Sequence, residues 1–97
     1  DLVDVSSGGL DHRQQIEVGP GYQVPFAAAV RAGAGVPTAA VGLITDAAQA
    51  EGIVRDGAAD AVLLARALLR NPRWALEAAH ELGAEARWPD QYLRARL

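Results

Sequence analysis

The chain has no cysteine and no lysine, few aromatic residues, no long apolar run and no excess of basic charge. Each shortage closes off a class of function. Without cysteine there is no disulfide framework and no thiolate metal site, and redox chemistry says nothing about compartment. All nine basic residues are arginine, and against twelve acidic residues they leave a net charge of −3, which is not the footprint of a nucleic-acid binder. Arginine favours planar, fixed ionic contacts over the mobile contacts of lysine. No apolar run approaches the roughly 18 residues of a membrane span, so no membrane partner is expected. No secretory signal leads the chain, though a chain that opens on Asp1 gives that silence little weight.

What is present is ordinary globular material: 97 residues, 51% apolar and 22% charged, enough for at most one domain. Three short apolar runs each feed a turn and then an alanine-rich amphipathic stretch. Leu2-Val3-Asp4-Val5 leads to Ser6-Ser7-Gly8-Gly9, Pro37-Thr38-Ala39-Ala40-Val41 leads to Gly42, and Ala61-Val62-Leu63-Leu64 leads to Ala65-Arg66. This rhythm is α/β and reads as the closing strands of a parallel barrel. Such a barrel takes roughly 250 residues, which places about three-fifths of it upstream of Asp1. Three strands alone would leave two unpaired edges.

Along the chain, Pro20-Gly21 closes the first loop and a helix is predicted over Tyr22 to Ala34, with Val24, Ala27, Ala28 and Arg31 at helical spacing and Gly33 and Gly35 as the stop. Asp46 with Gln49 three residues on has the shape of a capping box for a helix over Ala47 to Arg55, with Ala50, Ile53 and Val54 facing inward and Gly57 beyond its end. Ala58 to Leu64 follows as a strand apolar on both faces. A short turn over Ala67 to Arg70 is broken by Asn71-Pro72, and a last helix is predicted from about Pro72 to Leu82, with proline at its first position.

That interruption carries a functional expectation. In eight-stranded α/β barrels the last two strand-end loops, with a short extra helix, form a phosphate site from backbone N–H groups. Here those loops present Gly42 and the Ala65-Arg66 pair, and Arg66 adds a charge-assisted contact to a phosphate dianion. A lone glycine after a strand is more often a turn residue, and a lone arginine more often a surface ion pair. Their joint position at the ends of adjacent strands favours the phosphate reading.

Ser6-Ser7-Gly8, Pro20 to Ala27, Val41-Gly42-Leu43-Ile44-Thr45 and Ala65 to Pro72 stand in an order and spacing that resemble the C-terminal portion of the old yellow enzyme family of flavin-dependent NAD(P)H oxidoreductases, nearest its bacterial YqjM-like branch. The resemblance runs over essentially the whole chain. It implies a TIM (β/α)8 barrel in which residues 1–97 form the C-terminal fragment, about strands 6 to 8 with their helices, of a single FMN-binding domain. The implied activity is ene-reduction: NADH or NADPH reduces FMN, which passes hydride to an activated alkene, the small-molecule substrate.

On the same resemblance, Gly42, Ala65 and Arg66 hold the FMN phosphate, and Ser6 and Ser7 line the flavin side of the sheet. The family commonly has glycine where this chain has Ala65; the backbone N–H survives the change unless the position needs a positive φ. Pro89 to Arg94 resembles the branch's tail, in which an arginine reaches a neighbouring subunit's active site. That makes Arg94 the candidate, with Tyr92 packing beside it, and the enzyme a homo-oligomer, at least a dimer. The plain alternative is a surface tail. The groups that polarise the substrate and donate the last proton, a histidine pair or His/Asn and a tyrosine, would lie outside this chain, so no catalytic residue is assigned here and the 97 residues alone are expected to be inactive. A cytoplasmic location is expected.

Other residues are discounted. His12 and His80 have no partner at ligand spacing, so no metal site is expected. Trp74 and Trp88 read as packing, and Ser6 and Ser7 have no histidine base to make them nucleophiles. Two other readings stay open: another phosphate-binding barrel enzyme, and a non-catalytic α/β module that oligomerises through exposed strand edges.

Overall fold

The computed structural model describes residues 1–97. Three short strands, β1 (Val3–Val5), β2 (Thr38–Val41) and β3 (Ala61–Leu63), form one parallel sheet in chain order. Val3 stands opposite Thr38 and Val5 opposite Ala40, while Val41 stands opposite Leu63. Parallel neighbours need a crossover, and two helices supply it: α1 (Val24–Ala34) between β1 and β2, α2 (Ala47–Arg55) between β2 and β3. A five-residue helix α3 (Arg66–Arg70), a helix α4 (Trp74–Glu81) and a 3₁₀ turn (Asp90–Ala95) complete the chain. No helix is long and apolar enough to cross a membrane.

Local chemistry sets the boundaries. Pro25 sits in the first turn of α1, where its missing N–H costs nothing, and Gly35 ends that helix at φ 63 with its N–H on Arg31 O at 3.0 Å. Asp46 caps α2 by accepting the Gln49 N–H at 2.9 Å. The helix expected from Tyr22 begins two residues later, because Gly21 and Tyr22 are held in a turn by bonds from Tyr22 N to Gly19 O and Val24 N to Gly21 O. Gly33 lies inside α1 rather than ending it.

Only β2 is covered on both sides, and Thr38, Ala39 and Ala40 are almost fully buried. The strand expected over Ala58 to Leu64 shrinks to Ala61–Leu63. Its first residues are spent on a turn, with Ala58 N and Ala59 N both on Ile53 O, and as a sheet edge it leaves Leu63 exposed. Val54, expected inward, is exposed as well: the buried positions of α2 are Ala47, Ala50 and Ile53, spaced by three, and Val54 lies about 100° further round. The last helix starts at Trp74 rather than Pro72, because Asn71 accepts from Arg73 N through its side chain and from Trp74 N through its carbonyl, which makes Pro72 a turn residue.

The core is a thin, alanine-built layer. Ala27, Ala40, Ile44, Ala50, Ile53 and Ala59 form it, with Val5, Val62 and Trp74 packed against it. Alanine lets α1 and α2 approach the sheet closely but buries little apolar area per residue. Polar staples therefore matter at the N-terminal end of the strands. Arg31 Nε donates to Asp60 Oδ2 at 3.0 Å, Thr38 N donates to the same oxygen at 2.9 Å, and Arg31 Nη1 donates to Gly57 O at 3.2 Å. The Arg31 hydrogen bond and the Thr38 N–H hold the Asp60 carboxyl below its usual range.

Candidate functional site

The C-terminal ends of all three strands open into one cleft of about 270 Å³. Ser6 and Ser7 enter it from the end of β1, Gly42 to Thr45 from the end of β2, and Leu64 to Ala67 from the end of β3. This is the edge of a parallel sheet at which ligands bind in α/β folds. Four positions expected from sequence, Ser6, Gly42, Ala65 and Arg66, line it together.

In the loop after β2 three carbonyls are taken by the protein and three amides are left over. Gly42 O accepts from Gly21 N at 3.0 Å. Leu43 O accepts from Gln49 Nε2 at 3.0 Å, and Thr45 O accepts from Trp74 Nε1 at 2.8 Å. The N–H groups of Gly42, Leu43, Ile44 and Ala65 donate to nothing in the chain. Gly42 at φ 118 and Leu43 at φ 47 give the loop the irregular twist of an anion-binding concavity.

Charge agrees with geometry. Arg66 and Arg70 both line the cleft, no acidic residue does, and neither arginine enters an ion pair. Ala65 sits at φ −105, so a side chain at this position brings no positive-φ strain. Arg94 lies elsewhere, exposed on the 3₁₀ turn. Tyr92 pairs not with Arg94 but with Arg73, whose guanidinium carbon stands 4.8 Å from the ring centroid. No three histidine, aspartate or glutamate side chains cluster at metal-ligand spacing.

A profile of the NADH:flavin oxidoreductase / NADH oxidase family matches residues 2–85. The chain belongs to that family. It is 56% identical over 94 residues to an NADPH dehydrogenase of Geobacillus thermodenitrificans (strain NG80-2), covering 97% of this chain and 27% of the relative. It is 52% identical over 95 residues to an NADPH dehydrogenase of Listeria innocua, covering 98% and 28%. A third NADPH dehydrogenase, from Halalkalibacterium halodurans, is 53% identical over 97 residues, covering 100% and 28%. The chain thus spans 27 to 28% of the length of these relatives.

In this member of the NADH:flavin oxidoreductase family, sequence reasoning missed three contributors to the cleft. Gln23 is 97% buried, at 3% exposure, and its Oε1 accepts from both the backbone N–H and the hydroxyl of Ser7, 16 residues away. Of the two serines, Ser7 is thereby the anchored one. Gln49 and Trp74 grip the Gly42–Thr45 loop from behind. A polar residue two before Pro25 at a helix start is the one signal that marks Gln23. The Trp74 contact, across 29 residues, leaves no trace in the sequence.

Proposed function

We propose that this chain is the C-terminal, FMN-phosphate-binding fragment, about strands 6 to 8 with their helices, of a single TIM-barrel domain in an NAD(P)H-dependent ene-reductase. One observation carries the reading: the loop after β2 spends the Gly42, Leu43 and Thr45 carbonyls on the protein and leaves the Gly42, Leu43 and Ile44 amides free beside two arginines that form no ion pair. That donor set suits a phosphate monoester dianion.

Gly42, Leu43, Ile44 and Ala65 would hold the FMN phosphate through backbone N–H groups, and Arg66 would add a bidentate contact. Arg70, one helical turn on in α3, would add a second positive charge. Ser6, at the end of β1, would line the flavin side, with the neighbouring Ser7 fixed by Gln23. What the cofactor would supply is a two-electron relay, hydride in from NADH or NADPH and out to the β-carbon of an activated alkene. The chain's own work is orientation and charge compensation, and it contributes no catalytic acid or base. Arg94, exposed and without an ion-pair partner, would enter a neighbouring subunit's active site, which makes the enzyme a homo-oligomer.

The test is to purify the full-length protein that contains this chain, release its flavin by denaturation, and follow NADPH oxidation with an α,β-unsaturated ketone under anaerobic conditions. Stoichiometric FMN and enone-dependent oxidation are expected. A colourless protein that FMN cannot reconstitute overturns the reading.

A further inference from the structure

We infer that Gln49 is the positioning residue of this phosphate site, its side-chain amide holding Leu43 in a left-handed conformation so that the Gly42, Leu43 and Ile44 amides stay free for the anion. The inference rests on the phosphate reading above.

Leu43, at φ 47, is the one non-glycine residue of the chain with a positive φ. Leucine on its own favours right-handed or extended backbone, so the conformation must be imposed from outside the residue. Gln49 imposes it. Its Nε2 donates to Leu43 O at 3.0 Å and its Oε1 accepts from Thr45 N at 3.0 Å, so one planar amide grips the loop on both sides of Ile44. Ile44, at 3% exposure, pins the middle of the loop into the core. Gln49 is itself fixed, because its own N–H is spent on Asp46 Oδ1 at 2.9 Å at the start of α2.

A capping box would send the Gln49 side chain back to the N–H of Asp46. Here it reaches one residue further, to Thr45, and on to Leu43. A neutral amide offers both the donor and the acceptor that this grip uses: ionised glutamate lacks the donor, and methionine, of similar length, has no donor and only a weak sulfur acceptor. Gln49 does not line the cleft, so it acts on the ligand through the loop alone.

FMN and riboflavin differ only in the phosphate, and that difference isolates the role. Apo-protein prepared from the full-length enzyme is titrated with each flavin and followed by fluorescence quenching. Wild-type protein is expected to bind FMN more tightly than riboflavin. Gln49→Met is expected to weaken FMN about tenfold and leave riboflavin unchanged. Adding Leu43→Gly is expected to restore FMN binding, since glycine adopts this conformation without a clamp. A merely structural role would weaken FMN and riboflavin together, whereas a positioning role acts on the phosphate alone and leaves riboflavin binding in place.

Gln49→Glu guards against a methionine variant that fails to fold. Glutamate is favoured at this helix position, keeps the acceptor for Thr45 N and loses the donor to Leu43, so the same loss and the same rescue are expected. The inference is overturned if both variants hold FMN within about twofold of wild type, or if Leu43→Gly restores nothing. Equal wild-type affinity for FMN and riboflavin overturns the phosphate reading itself.

Discussion

Tyr22 occupies the space that a β-carbon on Gly42 would need: a methyl group built there would stand 2.8 Å from Cε1 of the ring and 3.1 Å from Gln23 Nε2. Gly42 is therefore doubly constrained, by this contact and by its φ of 118. Gly21 N, next to the tyrosine, donates to Gly42 O. The Pro20-to-Phe26 segment and the loop after β2 thus shape each other. Ser7, held by Gln23, joins the end of β1 to the same assembly.

Gly42→Ala is accordingly expected to lower stability by about 1–3 kcal/mol through backbone strain and displacement of the Tyr22 ring. Thermal melts of the apo-protein check this. FMN affinity should fall in the same variant, and a smaller second substitution, Tyr22→Ala, should return part of the lost stability by vacating the contact.

Arg66→Ala removes a guanidinium at the cleft while leaving the backbone N–H groups in place. A charge-assisted contact contributes about 1.5–3 kcal/mol, so FMN affinity should fall by roughly 10- to 150-fold. Riboflavin affinity should not move. Arg70→Ala should show the same selectivity with a smaller loss, and flavin titrations of both variants would rank the two charges.

The Arg31–Asp60 staple makes a pH prediction of definite sign. The Asp60 carboxyl lies below the ordinary aspartate value of 3.8 because Arg31 and the Thr38 N–H favour its ionised form. A depressed folded value contributes stability that is fully present above the unfolded value and is lost as pH falls through the folded one. Asp60→Asn should therefore melt below wild type at neutral pH, and the gap should close as pH falls below 3.8. Melting curves across that range provide the check. A gap that persists in strong acid would assign the loss to packing.

Arg94→Ala should leave FMN content unchanged, because the residue is exposed and lies outside the cleft. If it completes a neighbouring active site, kcat/KM for the alkene should fall while the oligomer stays intact by size-exclusion chromatography. An unchanged kcat/KM would return the tail to an ordinary surface role.

Much of this architecture was legible in one dimension. Asp46 before an alanine-rich stretch with Gly57 beyond it marked α2 to the residue, because caps are local chemistry. That Gly42, Ala65 and Arg66 would line one cleft was legible because they follow apolar runs, and parallel strands bring such positions to one edge. The errors fell where a tertiary contact outweighed the local pattern. Leu63 belonged to a strand apolar enough to be buried, but a strand at the sheet edge has a neighbour on one side only. Pro72 had the look of a helix start until the Asn71 carbonyl and side chain claimed the residues that follow it.

The sequence by itself determined the α/β order, the helix caps and which residues could meet at the strand ends, since hydrophobic period, proline, glycine and short polar caps act within a few residues of themselves. Only the tertiary structure decided how the site is held. The hydrogen bonds from Trp74 to Thr45 and from Ser7 to Gln23, and the Tyr22 ring against Gly42, join distant segments that are brought together by packing of the helices on the sheet. Such pairings depend on where a whole helix comes to rest, and a residue's neighbours in sequence carry no record of that.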